Sequence, residues 1–162
     1  MIKGKLQTTE KGGIGRVYND KKIFPEEVKS MIEYSEKVLE HFKNPRNAGV
    51  IEDADGIGEI GDKNCGDVLR VFIKVARDKV TDVKFQIRGC GAAIACASAM
   101  TELAIGKGID DALMVSEDDI VEALDGLPEA KLHCSNLGAA GLRKAILDYF
   151  EKNLTKECSN EI

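Results

Sequence analysis

Leu69-Arg70-Val71-Phe72-Ile73-Lys74-Val75, then Arg77-Asp78-Lys79, then Asp82-Val83-Lys84-Phe85-Gln86-Ile87-Arg88: this stretch decides the fold. Residues 69, 71, 73 and 75 form an unbroken apolar face, and 83, 85 and 87 form a second one at the same two-residue period. Side chains alternate across a strand, so each segment reads as a half-buried β-strand, with Arg77-Asp78-Lys79 as the turn between antiparallel partners. A sheet with one apolar face needs a layer to cover it.

The residues that follow supply that layer. Ala92–Ile105 is almost wholly apolar and small-sided, which predicts a buried helix ended by Gly106 and Gly108. Ser116-Glu117-Asp118-Asp119 has the form of an N-cap with acids in the first turn, opening a short helix to Leu124. A last helix is expected from about Asn136 to Asn153, its stripe being Leu142, Ala145/Ile146 and Tyr149/Phe150. Upstream, a helical stripe begins at Phe24 and continues through Val28, Met31/Ile32, Val38/Leu39 and Phe42, with Pro25 suited to a first helical position. Ser35 is placed to cap a separate helix, and Asn44-Pro45 ends it, because the residue before proline resists the α region. Strand residues followed by helix residues predict an α+β architecture.

Three zones of composition appear along the chain. Residues 1–30 hold seven Lys/Arg against four acids, with turn signals at Lys11-Gly12-Gly13 and Asn19-Asp20 and short strands conceivable at Leu6–Thr9 and Ile14–Tyr18. Residues 31–153 carry the periodic segments, and 154–162 form a polar tail. With 162 residues there is enough chain to bury a core without disulfides. The net charge of −5 argues against a nucleic-acid footprint, which needs a basic face. No apolar run approaches the ~20 residues of a membrane span, and no secretion signal opens the chain, so the expected address is the cytoplasm. There, five cysteines stay reduced and are read first as metal ligands, nucleophiles or buried hydrophobes.

Three of the five fall at element boundaries. Cys65 and Asp67 flank Gly66 just ahead of the first strand, two apart and so on one face if strand geometry extends back. Cys90 sits between Gly89 and Gly91 at the strand-to-helix junction. Cys134 is expected just before the last helix, where the positive end of the helix dipole favours thiolate. The separations match neither a zinc finger's paired cysteines nor a ferredoxin's compact run, so any shared site has to be assembled by the fold.

The wording around these cysteines narrows the reading. Glu33-Tyr34-Ser35-Glu36-Lys37-Val38, His41-Phe42-x-Asn44-Pro45-Arg46-Asn47, Cys65-Gly66-Asp67, Gly89-Cys90-Gly91-Ala92-Ala93-Ile94-Ala95 and His133-Cys134-Ser135 occur in that order. Together, over about residues 31–153, they resemble the IscU/NifU N-terminal family of iron–sulfur cluster assembly scaffolds. The resemblance implies a three-stranded antiparallel sheet packed against several helices, here with an extra N-terminal arm over 1–30. It implies a scaffold rather than an enzyme, on which a labile [2Fe–2S] cluster is built and passed to apo-protein recipients. Cys65, Cys90 and Cys134 are then the cluster ligands, and Asp67, His133 or a second subunit supplies the fourth. A carboxylate is a poorer partner for this iron than a thiolate, which suits a scaffold that must release its product. A cysteine desulfurase would deliver persulfide sulfur, with Cys134 as its acceptor, and separate proteins would donate iron and electrons. The family's Leu-Pro-Pro-Val-Lys segment, read by an Hsp70-type chaperone, is here Leu127-Pro128-Glu129-Ala130-Lys131, with Glu in place of the second Pro. Monomer and homodimer both remain open.

Plainer readings stand beside these. Cys96 shares a helical face with Met100 and Leu103 and reads as a buried small hydrophobe. Cys158 lies in the polar tail, and His41 reads as solvated or capping rather than ligating. Gly56-Ile57-Gly58-Glu59-Ile60-Gly61 lacks the Lys-Ser/Thr and the following helix of a phosphate loop. Three thiolates with Asp67 or His133 also suit tetrahedral zinc, as in a SufU-like sulfur acceptor. His133 and Cys134, if extended, would point opposite ways and could not easily share one metal.

Overall fold

A computed structural model describes residues 34–62 and 66–159. The strands suggested at Leu6–Thr9 and Ile14–Tyr18, the stripe from Phe24 to Ile32, and Cys65 lie outside the described residues. The elements are α1 (Glu36–Lys43), β1 (Gly56–Asp62), β2 (Asp67–Ala76), β3 (Lys79–Arg88), α2 (Gly91–Ala104), α3 (Ile109–Leu113), α4 (Glu117–Ala123), a 3-10 turn (Glu129–Lys131) and α5 (His133–Ser159). Among the described residues no helix is long and apolar enough to cross a membrane.

β1, β2 and β3 form an antiparallel meander in that order. Leu69, Val71 and Ile73 on β2 meet Val83, Phe85 and Ile87 on β3, all essentially without solvent contact. The alternation in the sequence thus marks the covered face. The hairpin turn puts Arg77 and Asp78 both at positive φ, the twist-matching geometry of a two-residue connection.

β1 is a strand that the residue pattern hid. Its glycines lower strand propensity, but they admit a neighbour. A Cβ on Gly58 would stand 2.4 Å from the Ala145 backbone nitrogen and 2.5 Å from the Gly141 carbonyl oxygen. The α5 backbone therefore lies directly on the edge strand.

α2 is buried on nearly every side, and Met100, Ile120, Leu124, Leu142 and Ile146 fill the space among helices and sheet. Ser35 caps α1 by accepting from the Val38 N–H at 3.1 Å. Ser116 and Asp119 cap α4 reciprocally, the full capping box. α3 was not expected, since five residues carry too little periodicity to be seen.

α5 corrects the expected boundary at both ends. It begins at His133, not near Asn136, because the Glu129–Lys131 turn winds straight into it. Ser135, which resembles a cap in sequence, is inside the first turn and donates to the Leu132 carbonyl at 2.7 Å. At the far end the helix passes Asn153 and continues to Ser159, with residues 154–158 exposed.

Candidate metal centre

Three chain segments converge at one end of the sheet. Asp67 is the first residue of β2, where its carboxylate is buried at 7% exposure. Cys90 follows β3 by two residues and occupies the N-cap position of α2, with extended backbone (φ −75°, ψ 170°). Cys134 is the second residue of α5 and is 1% exposed. One carboxylate oxygen of Asp67 and the two sulfurs lie within 4.8 Å of one another, the group of metal-ligating atoms found among the described residues.

The packing fixes this closeness. Gly89 separates Cys90 from β3, and a Cβ there would sit 3.0 Å from Asp67 Cγ and 3.2 Å from Ala93 Cβ. Glycine at 89 thus leaves room for the Asp67 carboxylate beside the start of α2. Ahead of Asp67, Gly66 adopts φ +69°, a conformation that L side chains rarely take.

The two sulfurs are 3.8 Å apart. Two thiolates bound to one tetrahedral ion at ~2.3 Å would have about this separation. The donor set also fits: soft sulfur from two sides and a hard carboxylate oxygen from a third. The same contact is a hydrogen bond between the two sulfurs. That bond holds Cys90 far below the usual thiol range, at about 5, despite its burial; the Ala93 N–H and the Lys131 charge assist, while Asp67 opposes. Cys134 is pushed up by the same partnership and by burial.

His133 Nε2 lies 3.6 Å from Cys134 Sγ. The expectation that these neighbours diverge rested on an extended backbone. In the first turn of a helix they are about 100° apart, so the imidazole and the thiol reach the same side. Burial raises the phenol pKa of Tyr34, with the charge of Lys131 opposing and those of Cys90 and Cys134 adding to the rise.

Other cysteines stand apart. Cys96 is fully buried and its thiol is pushed up to about 12 by burial and the charge of Cys90, as a core hydrophobe should be. Cys158 is exposed near the end of α5. His41 is not solvated as expected: it is buried, with Nδ1 2.8 Å from Ser98 Oγ and Nε2 3.6 Å from Glu102. It joins α1 to α2 at a distance from the sulfur pair along the helix.

The chain has relatives. The family described as NifU-like N terminal domain matches residues 33–156. Over 120 residues the chain is 56% identical to iron-sulfur cluster assembly scaffold protein IscU 1 of Archaeoglobus fulgidus, covering 74% of this chain and 78% of that one. It is 49% identical over 132 residues to iron-sulfur cluster assembly scaffold protein IscU of Aquifex aeolicus, covering 80% and 84% respectively. Among solved structures, a Fervidobacterium islandicum protein named as an iron-sulfur cluster assembly scaffold for the SUF system is similar with a TM-score of 0.58. That match is 27% identical and covers 70% of this chain and 96% of the other.

Proposed function

The chain belongs to the family of NifU-like N-terminal domains, and from that premise we propose that it is a scaffold on which a labile [2Fe–2S] cluster is assembled and then handed to apo-proteins. The observation that carries this reading is the meeting of Asp67, Cys90 and Cys134 within 4.8 Å. The cluster is cargo, held by the thiolates of Cys90, Cys134 and Cys65, with Asp67, His133 or a residue of a second subunit completing the set. Cys65 enters on its sequence position alone, two residues before Asp67.

Sulfur arrives as the terminal atom of a persulfide on a cysteine desulfurase. The Cys134 sulfur bonds to that atom as the S–S bond to the donor breaks, and the donor departs as a thiolate. Iron and electrons come from separate donor proteins. With Asp67 as the fourth ligand that bond would be the weak one, because carboxylate oxygen competes poorly with sulfur for this iron, which suits a scaffold that releases its cluster. The scaffold role rests on relatives that carry that name. Dependence on an Hsp70-type chaperone is the least supported of its partnerships, since Glu129 replaces the second proline of the chaperone-read segment.

A second reading keeps the site and changes its contents: a zinc-bearing sulfur acceptor. The 3.8 Å sulfur separation favours it, since that distance suits one tetrahedral ion as it stands. Anaerobic reconstitution with iron and sulfide separates the two. A brown protein with about two iron per cluster supports the scaffold. Colourless protein that retains only zinc supports the acceptor and defeats the scaffold.

A further inference from the structure

The two sulfurs of the metal centre are also a dithiol. Cys90 Sγ and Cys134 Sγ are already in contact at 3.8 Å, and a disulfide needs them at ~2.05 Å. Their exposures differ. Cys90 is half-buried, whereas Cys134 is 1% exposed, so a small oxidant meets Cys90 first. The other described cysteines stand outside this pairing. Cys96 is fully buried on α2, and Cys158 lies 24 residues beyond Cys134, about 36 Å along α5.

We propose that Cys90 and Cys134 form a reversible disulfide that closes the centre to metal when the chain meets a low-molecular-weight disulfide. The Cys90 thiolate attacks one sulfur of that oxidant, which expels the other half as a thiolate and leaves a mixed disulfide on Cys90. Cys134, having lost its proton, then attacks the Cys90 sulfur. The bond to the small thiol breaks, and that second half departs as a thiolate. In sum the two cysteines give up two electrons and two protons, and the oxidant becomes two thiols. A dithiol reductant runs the exchange backwards.

The consequence for the centre follows from its donor set. A metal needs both cysteines as thiolates, and the disulfide leaves the Asp67 carboxylate as the one remaining donor of the three. Oxidation and metal therefore exclude each other: the bond shuts the centre, and a bound ion shields both sulfurs from the oxidant. This regulation rests on the reading of Cys90 and Cys134 as ligands of the cargo.

The test uses the full 162-residue chain carrying Cys158→Ser, a change at an exposed position that removes pairing between molecules there. After glutathione disulfide treatment the mass should fall by about 2 Da, and peptide mapping should place the bond between Cys90 and Cys134. Uptake of zinc, the probe of the centre, should drop about tenfold or more and return with dithiothreitol. Protein loaded with zinc beforehand should form the bond about tenfold more slowly or less. Three results would each overturn the proposal: a glutathione adduct that stays on Cys90 without closing, a bond drawn to Cys65 instead, or zinc uptake undiminished by the Cys90–Cys134 bond. Reduced protein that binds zinc but builds no cluster from iron and sulfide, with the closure still blocking zinc, would count against the scaffold and support the switch.

Discussion

Cys90 Sγ and Cys134 Sγ stand 3.8 Å apart although 44 positions separate them in the chain. Each is held by the start of a helix: Cys90 caps α2 and Cys134 lies in the first turn of α5. The positive dipole ends of both helices lie at the pair and compensate anionic sulfur there. Asp67 brings a carboxylate to the same pocket, so the centre offers a cation one oxygen and two sulfurs within 4.8 Å of one another.

Replacement of Asp67 by Ala should leave this pair in place and remove the oxygen. A reconstituted cluster should still form on the thiolates, and its transfer to an apo-ferredoxin should slow. The assay is the rise of ferredoxin absorption after mixing. Unchanged transfer kinetics would take Asp67 out of the centre.

Gly58 and Gly61 make a matched pair for stability. At Gly58 a Cβ meets the Ala145 nitrogen at 2.4 Å, and backbone cannot swing aside, so Gly58→Ala should cost about 3 kcal/mol. At Gly61 the nearest atom is 3.4 Å away, ordinary contact, and Gly61→Ala should change stability by no more than about 0.5 kcal/mol. Urea unfolding of the two variants checks the contrast; equal midpoints would mean that β1 does not lie against α5 this closely.

The same glycines explain what could be read beforehand. β2 and β3 were legible because their apolar residues alternate over a face that is in fact covered. β1 was hidden because its inward positions at 56 and 58 are glycine, and a strand whose inward side is another backbone has no apolar pattern to display. The helix at Ala92–Ile105 was legible from its almost wholly apolar, small-sided composition, whereas the start of α5 was misjudged because the Glu129–Lys131 turn winds straight into it. At the metal centre, the boundary positions of Cys90 and Cys134 pointed to a site, but their closeness and the side-by-side placing of His133 depend on the helical turn.

Cys96 provides a control for the metal centre. It lies six residues beyond Cys90 on α2, is fully buried, and holds its proton tightly. Cys96→Ala should cost about 1 kcal/mol through lost packing and leave cluster or zinc content as it was. Loss of metal in a variant that remains folded by circular dichroism would mean that Cys96 contributes to the site.

His41 should make stability fall as the solution becomes acidic. Burial holds its pKa below the usual histidine value and Arg46 adds to this, against the opposing pull of Glu102 and Glu40. The unfolded chain has its normal pKa near 6.5, so above that value both states are neutral and the full stability is present. Below it the unfolded chain takes up a proton that the folded one refuses, and stability is lost until the folded pKa is passed. The Ser98 hydroxyl, which also accepts from the Arg46 N–H at 2.8 Å, fits the neutral ring by donating to Nδ1. The urea midpoint should therefore drop between about pH 7 and pH 5.5, and His41→Asn should flatten that slope while lowering the plateau by about 1 kcal/mol. A variant with an undiminished slope would assign the acid sensitivity to other groups, and the contact between α1 and α2 would then carry no proton linkage.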